Sequence, residues 1–171
     1  MSEQKRSFPP NAVHLVRTAQ QINVALSQMA DQKASILMGA TFVVFTITVG
    51  QASRGDISPA LFVLGTSALI SAMLAVYAVL PSVGGRKAGS NLNLLFFGSF
   101  SQLTETEFVD QVLDRLSDDE TVYRTMLRDI YQNGQVLQHK KYRYLVYAYR
   151  AFIVGLLLTV AVTLGDYLIH L

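Results

Sequence analysis

The sequence has no cysteine and no tryptophan, only four prolines, and charge on only 15% of its 171 residues. An average soluble domain carries roughly 25% charged residues. Without cysteine there is no disulfide, no thiolate nucleophile and no Cys-based metal site. Proline falls only at Pro9, Pro10, Pro59 and Pro81, so nothing rigid interrupts the chain after Pro81. Charge is missing from whole windows: 34–53, 57–85 and 151–165 contain no Asp, Glu, Lys or Arg. With a mean hydropathy of +0.33, this excludes a water-soluble enzyme, a disordered chain and a disulfide scaffold.

Recognisable catalytic patterns are missing as well. There is no phosphate-binding glycine loop, no HExxH and no GxSxG. The three histidines, His14, His139 and His170, are scattered and do not suggest a metal site. Asp118-Asp119-Glu120 reads as carboxylates complementing a helix N-terminus rather than as metal ligands. The residues predict no enzyme, no metal and no cofactor.

What is present is three membrane spans. A span needs about 20 mostly apolar residues, and 34–52 and 57–80 meet this directly. The third, 148–169, has a shorter charge-free core, with Arg150 able to extend toward the headgroups. The first apolar run is too long for the core of a cleaved signal, so the N-terminal segment is expected to be retained. Orientation follows the basic residues. Lys5, Arg6, Arg17 and Lys33 precede span one, Arg54 stands alone in the 53–58 turn, and all the others lie in 81–150. This places 1–33 and 81–147 in the cytoplasm and the C-terminus outside, as expected of a multi-pass membrane protein.

In 11–33, Leu15, Val16, Ala19, Ile22, Leu26, Met29 and Ala30 recur at helical spacing, with Asn11 as N-cap. No Gly or Pro separates this stretch from span one, so one long helix is expected to pass from water into lipid. Thr104-Glu105-Thr106-Glu107 predicts a capping box, and Ser117-Asp118-Asp119-Glu120 a second. From there a helical pattern runs without proline from about 118 to 169. The patch Leu92-Asn93-Leu94-Leu95-Phe96-Phe97 is open between strand, interfacial loop and subunit contact. The expected fold is an all-α integral membrane protein: three transmembrane helices and a cytoplasmic helical bundle, with two long helices continuous from one to the other.

Two stretches carry a resemblance. One is Ala30-Asp31-Gln32-Lys33-Ala34-Ser35-Ile36-Leu37. The other begins Asn91-Leu92, passes Phe97-Gly98, Leu103-Thr104 and Glu107-Phe108, and closes on Lys141-Tyr142-Arg143. Together they resemble the transmembrane effectors of Pycsar-type bacterial anti-phage systems over about 25–169. The resemblance implies a membrane effector controlled by a nucleotide second messenger, a cyclic mononucleotide or short oligonucleotide made by a partner cyclase or nucleotidyltransferase. It also implies damage to membrane integrity, with growth arrest or cell death. No appended cyclic-nucleotide-binding domain is recognisable, so a ligand would bind the cytoplasmic helices themselves.

A three-span chain can enclose a pore only as a homo-oligomer. Small and hydroxyl side chains suited to pore or helix packing are Gly39 and Thr46 in span one, and Gly155, Thr159 and Thr163 in span three, which also carries Asp166. Candidate nucleotide contacts are Arg124 and Arg128, one turn apart, with Tyr123 and Tyr131 for stacking and Arg86-Lys87 after a Gly pair. The commoner explanations are surface ion pairs with Asp119, Glu120 or Asp129 for the arginines and helix contacts for the tyrosines. Asp31 and Lys33 stand where helix one enters the bilayer, where a solvated carboxylate and a leaflet anchor are the ordinary roles; the resemblance, rather than the spacing, favours Asp31 pairing with Lys141 or Arg143 as a gate or helix coupling. The lipid membrane is itself a partner, since anionic headgroups attract Lys140, Lys141 and Arg143. Ligand binding is open between opening the pore and holding it shut. The alternative to a pore is a membrane anchor whose helical arm recruits another protein.

Overall fold

The computed structural model describes residues 6–55, 58–81 and 92–169. Its elements are α1 (Ala12–Ala52), α2 (Pro59–Val79), α3 (Phe97–Phe100), α4 (Glu105–Arg115) and α5 (Asp119–Val136), then a π-helical turn (Leu137–Tyr142) and α6 (Arg143–Ile169). The described residues contain no strand. Three helical stretches are long and apolar enough to cross a membrane: Ala12–Ala52, Pro59–Val79 and Asp119–Ile169. The protein is an all-α membrane protein.

α1 runs without interruption for 41 residues, about 60 Å at 1.5 Å per residue. The second long helix differs from expectation in one respect. It is continuous from Asp119 to Ile169, but Leu137–Tyr142 winds as a π turn, with bonds to the fifth residue instead of the fourth.

The chain folds into two compact units. One comprises Ser27–Leu80 and Leu137–Leu171, and holds the apolar helices. α2 starts with Ser58, whose hydroxyl accepts from the Leu61 N–H at 3.2 Å, and with Pro59 in the first turn, where its missing N–H costs nothing. The small residues of α2 face inward: Gly65, Ala68, Ser71, Ala75 and Ala78 are buried. Their size lets neighbouring backbones approach. Ser71 donates to the Ala148 carbonyl at 2.8 Å, and Leu37, Ala75 and Ala148 form the core with Met38, Leu74, Tyr149 and Phe152 around them. A methyl group on Gly65 would come within 2.8 Å of Thr48 Cγ2, and one on Gly155 would overlap the Ser67 side chain. Gly155 is therefore a packing residue within the chain. Thr159 is half-buried, while Gly39, Thr46, Thr163 and Asp166 are exposed. The threonine hydroxyls donate to carbonyls of their own helices.

The other unit comprises Met1–Leu26 and Pro81–Val136. The first capping box forms as expected: Glu107 N–H donates to Thr104 Oγ1 and Thr104 N–H to Glu107 Oε2. The second does not. Asp118, not Ser117, accepts from the Thr121 N–H, and the Ser117 hydroxyl donates back to the Asp114 carbonyl. An aspartate one residue later caps as well as a serine, so the helix start shifts to it. The apolar patch resolves into a turn with Asn93 and Leu94 buried, leading into α3.

Two outcomes follow. Gly155→Ala is overpacked and loses about 1–3 kcal/mol, read as a lower Tm of the detergent-solubilised protein. Gly165→Ala, with open space around the new methyl, leaves Tm unchanged or slightly raised. Hydrogen bonds from Thr104 hold the Glu107 carboxyl below its ordinary 4.5. Its stabilising contribution is present above that ordinary value and is lost as pH falls through the lowered one. Amide exchange at Thr104 is expected to accelerate, after correction for intrinsic rates, only on acidification below the ordinary range.

Candidate functional site: the ammonium–carboxylate pair between the two long helices

The lower half of α1 and the π turn meet within the Ser27–Leu80/Leu137–Leu171 unit. Lys141 Nζ lies 2.7 Å from each oxygen of Asp31 and 2.8 Å from Ser27 Oγ. All three ammonium protons thus have acceptors, which is the condition for withdrawing a lysine from water. The Lys141 side chain is 20% exposed and that of Asp31 45%. The pair is therefore neither a solvated surface contact nor a fully buried one. Ser27 and Asp31 lie one turn apart on α1 and face the same way.

Three further contacts surround the pair. Lys140 Nζ donates to the Leu80 carbonyl at 2.7 Å and stands 5.6 Å from the Tyr77 ring centroid. It thereby caps the C-terminal end of α2, where unpaired carbonyls favour a cation. Tyr149 donates to the Lys33 carbonyl at 3.2 Å. The Arg143 guanidinium lies 5.9 Å from the Tyr147 ring. Of the two partners expected for Asp31, Lys141 is the one it meets. Lys33 is exposed, and of its groups the backbone carbonyl makes the contact.

The π turn carries Lys140 and Lys141. π turns concentrate at functional sites because they re-aim side chains without ending the helix. Here they send adjacent lysines to different helices, one to α1 and the other to α2.

The candidate nucleotide residues are placed differently. Arg124 pairs with Glu120 one turn back, the surface ion pair weighed for it. Arg128 is half-buried and forms no ion pair among the described residues. Tyr123 packs on Phe8, with ring centroids 4.7 Å apart, whereas Tyr131 is 67% exposed. Arg86 and Lys87 lie outside the described residues.

Sequence reasoning missed a polar node in the Met1–Leu26/Pro81–Val136 unit. Asp129 is only 4% exposed. Its two oxygens accept from Gln20 Nε2 at 3.1 Å and Asn93 Nδ2 at 3.0 Å. Asn23 donates to the neighbouring Ile130 carbonyl at 3.1 Å, and Leu95 N–H to Asn93 Oδ1 at 3.0 Å. Three side chains, from α1, the 92–95 turn and α5, thus meet at one carboxylate, and Asn23 holds the adjacent backbone carbonyl. One signal was available: Asn23 falls seven residues after Val16 and seven before Ala30, on the stripe that turns inward.

A family model for the Pycsar effector protein domain, PycTM, matches residues 14–165. The chain belongs to the Pycsar effector family. The match extends over most of both units and includes both residues of the Lys141–Asp31 pair. No curated protein and no solved structure matches the chain. Membership makes it an effector of cyclic-nucleotide-controlled anti-phage defence, working with a partner cyclase, in a family of non-enzymatic effectors.

Separating the two charges tests the pair in this effector. Asp31→Asn and Lys141→Met each leave a partly desolvated charge without its partner, whereas the double variant removes both. A double-mutant cycle on denaturation of the detergent-solubilised protein is expected to give a coupling of about 1–2 kcal/mol, between exposed and buried pairs. A coupling of zero would make the contact incidental.

Proposed function

We infer that this effector is a homo-oligomeric pore of the bacterial inner membrane. A cyclic nucleotide binds its cytoplasmic helices and opens the pore, and loss of membrane integrity then arrests growth or kills the infected cell. The observation that carries this reading is the Lys141–Asp31 pair. It ties the two long helices together at the level where each turns from polar to apolar. Both helices extend without a break into the Met1–Leu26/Pro81–Val136 unit, so rotation of either at its cytoplasmic end is transmitted along it to the pair. The basic-residue distribution supports a cytoplasmic N-terminus and an external C-terminus.

Arg128, unpaired among the described residues, and the exposed Tyr131 suit a ligand with a phosphate and a base. Arg124, released from Glu120, adds a second cation on the same helix, and Tyr123, Arg86 and Lys87 complete the proposed set. Lys33, Arg143, Thr159, Thr163 and Asp166 are assigned to the coupling and packing surfaces of the spans.

Ion flux from liposomes holding the purified protein tests the reading. Cyclic CMP or cyclic UMP is expected to trigger flux. Replacing Arg124 and Arg128 together by Gln is expected to abolish the response, and Asp31→Asn to produce flux without ligand. Absence of flux under every cyclic nucleotide would leave the non-pore anchor as the function.

A further inference from the structure

α1 has two faces that both repeat every seventh residue. The first is occupied within the protomer. The buried residues of α1 are Val16, Ala30 and Leu37, and Ala34, Thr41 and Thr48. Each set is spaced by seven or by multiples of seven, and the two sets lie side by side on the helix at about 100° per residue.

The second face lies on the opposite side and is uncovered. Leu15, Ile22, Met29, Ile36 and Val43 follow at intervals of seven and are 47–75% exposed. Beside them, three residues further on in each repeat, run Thr18, Ala25, Gln32, Gly39 and Thr46, all exposed. This is the a/d pattern of a coiled-coil seam. Lipid accounts for exposed apolar residues only where α1 is in the bilayer. Leu15 and Ile22 continue the same stripe into the polar half, beside Arg17, Gln20, Gln21 and Asn23. There, exposed apolar side chains at a strict repeat call for a protein partner.

We propose that this face is the interface between copies of the protein, α1 packing on α1 of its neighbours. The proposal rests on the oligomer of the preceding section and names the surface that builds it. Copies inserted in one membrane share direction and depth. Their α1 helices are therefore parallel, and each repeat position meets its equivalent. A helix whose pattern repeats every seven residues is matched by an identical parallel helix, and the pair supercoils left-handed. No seam residue is charged, so symmetry brings no like charges together. Ala25 and Gly39 permit close approach. Gln32 meets its counterparts at the membrane entrance, where a polar seam residue fixes register.

The natural absence of cysteine permits single-cysteine crosslinking of the full chain in native membranes. A disulfide forms only when Cα atoms come within about 7 Å. Under mild oxidation, most of Ile22→Cys and of Ala25→Cys is expected to shift to twice the monomer mass. Val24→Cys, as exposed as Ile22 (52% against 53%) but off the seam, is expected to remain at monomer mass. Light scattering on the unmodified protein in detergent separates the two levels of the argument. An oligomer whose Ile22 and Ala25 variants do not crosslink, or whose Val24 variant crosslinks equally, overturns this interface while the oligomer stands. A monomer with no crosslink at any position overturns both.

Discussion

The ammonium of Lys141 sits where the polar and the apolar stretches of the two long helices meet, and that placement constrains everything around it. A lysine there is tolerated only if its protons are answered, and Asp31 and Ser27 answer them from one turn of α1. The two long helices are therefore fixed to each other at that level. The π turn is the local adjustment that makes this possible. It lets Lys140 and Lys141, adjacent in sequence, reach the end of α2 and the side of α1 respectively.

The second polar cluster is of a different kind. Asp129 meets no cation among the described residues; two amide side chains hold it, with Asn23 on the adjacent carbonyl. Such a network is directional, so any rotation of α1 against α5 must exchange its hydrogen bonds. A buried carboxylate satisfied by amides contributes specificity of packing more than net stability, because its desolvation offsets much of its hydrogen bonding. α1 is thus positioned by polar contacts at one end, by buried packing through Ala34, Leu37, Thr41 and Thr48 at the other, and by the Lys141–Asp31 pair between them.

The spans and the long helices were legible because they depend on local patterning. Missing charge and missing proline sufficed for α1, α2 and α6, and the spacing of a hydroxyl and a carboxylate sufficed for the cap of α4. The Asp31–Lys141 contact was anticipated only among alternatives, since residues 110 apart in sequence meet by tertiary packing that periodicity does not encode. The π turn had no local signature in Leu-Gln-His-Lys-Lys-Tyr. Asp129 read as a surface partner for arginine because a carboxylate on an amphipathic helix is usually solvated. Its burial depends on Gln20 and Asn93, which lie far away in sequence. The cap of α5 slipped by one residue because Ser117 and Asp118 are both competent, and the carboxylate won.

The account stands on α1 and the α5–α6 helix passing unbroken through the membrane entrance, clamped there to each other. Amide hydrogen exchange of the full chain in lipid nanodiscs, followed across 27–34 and 137–145, measures this directly. Slow exchange throughout both segments, accelerated in both together by Lys141→Met, is the predicted result. Fast exchange in either segment of the unmodified protein would mean that the helix is interrupted there, and would contradict mechanical coupling between cytoplasm and membrane.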